Sequence, residues 1–100
     1  MFGDFAPALV HFTDDVLFGE VWKRPDLAPR DRSLITIAAL VTHGNIGQLT
    51  YPLELAKKNG ATETELVEAI THLASCTGWP QAIAAVGVAK QVFAGTEPTN

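Results

Sequence analysis

Apolar positions along this chain recur at helical spacing, and no stretch alternates every second residue for long enough to form a strand. Five helices are predicted. The first covers Pro7 to Trp22, with Phe12, Val16, Leu17 and Phe18 among its apolar positions. Arg24-Pro25-Asp26-Leu27-Ala28-Pro29 follows as a turn, because two prolines so close together forbid a continuous helix. The second helix runs from Pro29 to His43. Proline suits its first position, Asp31 favours the positive end of the helix dipole, and Gly44-Asn45 ends it. The third spans Ile46 to Asn59 and stops at Gly60, with Pro52 inside it and expected to bend it. The fourth opens on a capping box formed by Thr62 and Glu65 and ends near Gly78. The fifth starts at Trp79-Pro80 and runs to Ala94, leaving Gly95 to Asn100 as a frayed tail.

Two of these helices are unusually apolar, and each carries a narrow polar stripe. The second has Leu34, Ile35, Ile37, Ala38, Leu40 and Val41 on nearly every side, with Arg32, Thr36 and His43 as its polar line. A helix of that kind is expected to be central and buried. Its polar line then meets a cleft or finds buried partners. Arg32 is expected to pair with Glu20, the only acidic residue in the apolar stretch around Val16–Trp22, because either charge alone is costly to bury. In the fourth helix, Leu66, Ile70, Leu73, Ala74 and Thr77 form the core face on a helical wheel, which places His72 on a flank with Glu65, Ala69 and Cys76. Glu68, one turn back from His72, would favour its imidazolium, and burial would oppose it.

The composition sharpens this picture. The chain has 100 residues, of which 47% are hydrophobic and only 18% charged, against about 25% charged in typical soluble chains. The run Ala69–Ala89 has no Asp, Glu, Lys or Arg at all. So much apolar surface on one small domain points to burial between copies of the chain. Gly, Pro, Asn and Gln interrupt the uncharged runs, which argues against a membrane span. A net charge of −4, with no cluster of Lys or Arg, argues against nucleic acid. The start MFGDFAPALV has no basic region or cleavage pattern, and one cysteine allows no internal disulfide, so a cytoplasmic location is expected.

The motif inventory is short. There is no glycine-rich phosphate loop, no nucleophile elbow, no C-x-x-C and no sequence cluster of metal ligands. Chemistry is left to acid/base work by His, Glu and Arg side chains at a cleft. Each has a structural reading beside it. Arg32 and Glu20 would serve equally as an ion pair, and His72 as a histidine held at a helix interface. His43 suits the negative end of a helix, His11 an exposed position, Cys76 a buried apolar filler and Trp79 a packing anchor.

Two runs carry a family resemblance. One is Phe18-Gly19-Glu20-Val21-Trp22-Lys23-Arg24-Pro25-Asp26-Leu27, followed by Arg30-Asp31-Arg32-Ser33-Leu34-Ile35-Thr36-Ile37-Ala38-Ala39-Leu40. The other is Asn59-Gly60, then Glu65-Leu66, Thr71-His72-Leu73-Ala74 and Gly78-Trp79-Pro80. The chain resembles the carboxymuconolactone decarboxylase family, within the alkyl hydroperoxidase D-like superfamily, from about Phe18 to Phe93. The resemblance implies an all-α fold over residues 1–100 as one domain. It also implies a ring-like homo-oligomer, a trimer or a hexamer of three dimers. It implies two activities: decarboxylation of a carboxylated lactone without metal or organic cofactor, and dithiol peroxidase chemistry. The dithiol would lie around Gln48–Leu53, where this chain has no cysteine. Decarboxylase-like members often read Gln-Leu-x-x-His-Leu in the third helix; here Gln48-Leu49-Thr50-Tyr51-Pro52-Leu53 puts proline in place of that histidine.

The sequence therefore predicts an enzyme acting on a small carboxylated or lactone-type metabolite. His72 would transfer the proton, Arg32 would hold a carboxylate or orient Glu20, and Glu20 or Glu68 would tune His72. Thr36, Tyr51 and Trp79 would line the pocket. The alternatives are a non-catalytic oligomer that binds a ligand or partner, favoured by Pro52, and a peroxidase working through Cys76 alone.

Overall fold

The computed structural model describes residues 4–94, and all the regular structure among them is helical. The predicted tail from Gly95 to Asn100 lies outside the described residues. The N-terminal arm comprises α1 (Pro7–His11), a wider π-helical segment (Phe12–Phe18) and a single 3-10 turn (Val21–Lys23). The body comprises α2 (Pro29–Thr42), a 3-10 turn (Ile46–Gln48), α3 (Thr50–Lys58), α4 (Glu63–Thr77) and α5 (Trp79–Ala94).

The expected single helix from Pro7 to Trp22 is thus corrected to a broken arm. Thr13 Oγ1 donates to the Leu9 carbonyl at 2.8 Å, and His11 Nδ1 lies 2.8 Å from Asp15 Oδ2. The ladder ends where Gly19 folds back on the previous turn. A Cβ on Gly19 would stand 2.4 Å from the Asp15 carbonyl oxygen, so only glycine permits this approach.

Pro52 also departs from expectation. α3 begins at Thr50, which puts Pro52 in the first turn, where backbone N–H groups have no partner inside the helix. Proline there removes no bond within α3; the next donor, Leu53 N, bonds Leu49 O.

The other boundaries follow local chemistry. Pro29 opens α2, and Gly44 (φ 78°) closes it, with Asn45 N donating to Leu40 O and Gly44 N to Val41 O. Thr62 Oγ1 accepts from Glu65 N at 3.1 Å, and the Glu65 carboxylate accepts from Thr62 N at 2.9 Å, completing the predicted capping box.

The core joins Ile37 and Val41 of α2, Leu53 and Ala56 of α3, Leu66 and Ile70 of α4, and Leu49. From α5 it takes Ala82, Ala85, Ala89 and Val92, at alternating three- and four-residue spacing. Those small side chains let α5 lie close along α4. In α2 the expectation of all-round burial fails. Ser33, Ile37 and Val41 are buried, whereas Ile35 is 59% exposed and Ala39 is exposed. Phe5, Leu9 and Phe12 on the arm, and Trp79, Ile83 and Val86 on α5, are exposed as well.

Candidate functional site

One cavity, of about 250 Å³, lies between the arm and the body. The arm supplies Leu17, Phe18 and Trp22 as one wall, where the Phe18 and Trp22 rings stack at 6.0 Å between centroids and 28° between planes. Ser33 and Thr36 of α2 and Tyr51, Pro52 and Leu55 of α3 supply the rest. Every lining side chain is uncharged, and three of them carry a hydroxyl. The cavity is just below the range of ligand pockets, about 300–1,000 Å³, and so has room only for a small metabolite.

Two of the predicted pocket residues, Thr36 and Tyr51, meet here. Thr36 Oγ1 donates to Arg32 O at 2.9 Å, and Tyr51 is exposed. Trp79 is elsewhere. It is 68% exposed and lines a shallow hollow of about 180 Å³ with Thr71, Ala74 and Ile83 between α4 and α5. It is neither part of this cavity nor a packing anchor within the chain.

The three acid/base candidates do not converge on the cavity. Arg32 makes no ion pair with Glu20. Its Nε donates to Leu27 O at 3.2 Å and its Nη2 to Arg24 O at 3.1 Å, so it staples the turn that follows Trp22 onto α2. The main-chain oxygens of that proline-rich turn are left without helical partners and take the guanidinium instead. Glu20 is exposed in the turn after the π-helical segment. His72 is exposed on α4, with no side-chain hydrogen bond or ion pair to Glu68 or Cys76 among the described residues; only its backbone carbonyl is engaged, by Ser75 Oγ. Cys76 is exposed, correcting its expected role as a buried filler.

Sequence reasoning missed two features. The first is Ser33, the single buried polar side chain among the described residues, which accepts a hydrogen bond from Asn59 Nδ2 at 3.1 Å. Its sequence signal was faint: a serine in an apolar helix, one turn before Thr36. The second is the pairing of Arg30 with both Asp31 and Glu65, which ties α2 to the start of α4. Among the described residues no three His, Cys, Asp or Glu side chains gather as a metal site, and no helix is long and apolar enough to cross a membrane.

A helical body with a small, hydroxyl-bearing apolar cavity under an aromatic arm is the class of protein defined here. The chain belongs to the carboxymuconolactone decarboxylase family, whose family model matches residues 7–91. It is 39% identical over 90 residues to 4-carboxymuconolactone decarboxylase from Acinetobacter baylyi, covering 90% of this chain and 67% of that protein. It is 35% identical over 76 residues to nitrosuccinic acid decarboxylase from Metarhizium robertsii, covering 76% of this chain and 53% of that one. The chain thus spans about two thirds of the first relative and about half of the second.

Proposed function

We propose that the protein decarboxylates a small carboxylated metabolite in the cavity between the arm, α2 and α3. The observation that carries this reading is the cavity's uncharged lining, in a chain whose two matched relatives are both named as decarboxylases. A carboxylate moved from water into apolar surroundings loses solvation, whereas the transition state for losing carbon dioxide spreads the charge. The difference lowers the barrier. With no cation in the wall, the substrate supplies its own electron sink. The bond to the carboxylate breaks, its electron pair moves onto the adjacent carbon and out to a carbonyl or nitro oxygen, and carbon dioxide leaves. A proton then adds to a carbon of the delocalised anion, next to the group that took up the charge.

The proton donor in this reading is His72, brought to the cavity mouth by a second copy, since it lies outside the cavity of its own chain. Arg32 acts indirectly, by fixing the turn next to Trp22, and Glu20 stands near the same turn as a tuning group. Self-association as a trimer or hexamer, in the cytoplasm, belongs to the same proposal. Phe5, Leu9 and Phe12 on the arm and Trp79, Ile83 and Val86 on α5 are the apolar surfaces it would cover.

The test is carbon dioxide release from 4-carboxymuconolactone and from nitrosuccinate by the purified protein. Turnover of either supports the reading. Binding without turnover would favour the non-catalytic alternative, for which Pro52 in the cavity wall, where the family often has histidine, is the supporting observation. Peroxidase chemistry would have only Cys76 to work with, and no second thiol.

A further inference from the structure

We propose that Ser33 is a substrate-contacting hydrogen-bond donor, directed into the cavity by Asn59. The inference deepens the decarboxylase reading and rests on it for the identity of the ligand.

Ser33 is 1% exposed, at the floor of the cavity, on a helix whose other buried residues are Ile37 and Val41. A hydroxyl in that position is unfavourable unless both its proton and its lone pairs are used. Asn59 Nδ2 donates to Ser33 Oγ at 3.1 Å, which makes Oγ an acceptor and leaves its proton for another partner. The usual outlet for a hydroxyl on a helix is the carbonyl one turn earlier. Thr13, Thr36 and Thr71 all take it in this chain, donating to Leu9, Arg32 and Val67. Ser33 does not, and no other acceptor for its proton is found among the described residues. Of the two α2 hydroxyls in the cavity, Thr36 has already committed its proton, so the free donor belongs to Ser33.

The ligand chemistry follows. A buried donor on the α2 side of an apolar wall suits an acceptor oxygen, and it contributes most where that oxygen gains charge during the reaction. In an acid that carries its own electron sink, the oxygen is that of the carbonyl or nitro group. Ser33 thereby selects an acid whose acceptor oxygen is conjugated with the carbon that loses the carboxylate over an acid with no such oxygen. Asn59 is a positioning residue that acts through Ser33.

The experiment compares wild type, Ser33→Ala, Ser33→Cys, Asn59→Asp and the Ser33→Ala/Asn59→Asp pair, each checked for fold by thermal melting. Asn59→Asp keeps the shape but replaces the donor with an acceptor, so the Ser33 proton turns back to residue 59. Turnover is measured with 4-carboxymuconolactone and nitrosuccinate. Binding is measured by calorimetry with 3-nitropropanoate, the acid left when nitrosuccinate loses the carboxyl beside its nitro group. Ser33→Ala and Asn59→Asp are each expected to lower kcat about 10²-fold and to weaken 3-nitropropanoate binding, with Ser33→Cys between them and wild type. The double variant is expected to lose no more than either single one, because both remove the same bond. Wild type that binds the probe without turning over either acid overturns the decarboxylase reading alone, and the binding difference still decides Ser33. Equal binding and kcat in wild type and Ser33→Ala, or full additivity in the double variant, overturns the Ser33 proposal. Wild type that binds no probe and turns over neither acid overturns both.

Discussion

Arg30, in the first turn of α2, is paired with Glu65, in the first turn of α4. The same carboxylate accepts from Thr62 N, so one side chain both caps a helix and ties two helices together. The Arg30 hydrogen bonds first, and then the Thr62 N–H, hold the Glu65 carboxyl at about 2, well below the usual carboxylate range. Because the folded value lies below the unfolded one, the stabilisation is present above about 4.5 and is lost as pH falls towards about 2. Melting temperature should therefore drop across that window, and the drop should shrink in Glu65→Gln. An identical acid profile in wild type and variant would contradict the assignment.

Gly19→Ala should disturb the arm and leave the body intact. The added Cβ meets the Asp15 carbonyl oxygen, a backbone atom that cannot swing aside. Hydrogen exchange is expected to quicken from Phe12 to Trp22, and binding in the cavity to weaken because Leu17, Phe18 and Trp22 form its wall. Slow exchange unchanged through that segment would show that the chain accommodates the methyl group.

Ala85→Leu should destabilise the fold by about 1–3 kcal/mol, the usual result of overpacking a filled core. Ala85 is fully buried in the face of α5 that also carries Ala82 and Ala89. Urea unfolding provides the measure, and an unchanged midpoint would mean that α4 and α5 have slack between them.

Pro52→His places a titratable group in the cavity wall. Since Pro52 occupies the first turn of α3 and replaces no helical hydrogen bond, the substitution should preserve the fold. Turnover of 4-carboxymuconolactone should gain a further pH-dependent step near the histidine range, about 6.5. A pH profile identical to that of wild type would exclude position 52 from proton transfer here.

His72→Gln separates the two roles open to His72. If a second copy brings it to the reaction, kcat should fall at least ~10²-fold with no change in melting temperature or assembly, as read by light scattering. Full activity would leave His72 as an exposed helix residue, which is its setting in the single chain.

The features that were legible in the sequence share one property: the residues that decide them are neighbours in the chain. Pro29 at the start of α2, Gly44, Gly60 and Gly78 at helix ends, and the Thr62–Glu65 box act within one turn. The core face of α4, Leu66, Ile70 and Ala74, was readable from helical spacing. The break at Gly19 was not, because it depends on how closely one turn approaches another, and a helix pattern is blind to that.

The site divides in the same way. Sequence pointed to Thr36, on the polar line of an apolar helix, and named Tyr51 as a pocket-lining residue. It also led to Arg32 and Glu20 as a pair, on the argument that buried charges need partners. Arg32 instead found carbonyl oxygens in an adjacent turn, an outlet that a charge-pairing argument leaves out.

The sequence by itself determined that this is an all-helical member of its family and where most of the helices begin and end. Period, caps and composition are local or additive quantities, so they are written directly in the residues. Only the tertiary structure decided that the arm folds over α2 and α3, that Ser33 and Asn59 meet across 26 positions, and that Trp79 and Ser33 lie in different hollows. Those outcomes depend on which helix faces which. Many distant contacts compete to set that arrangement, and no single segment encodes it.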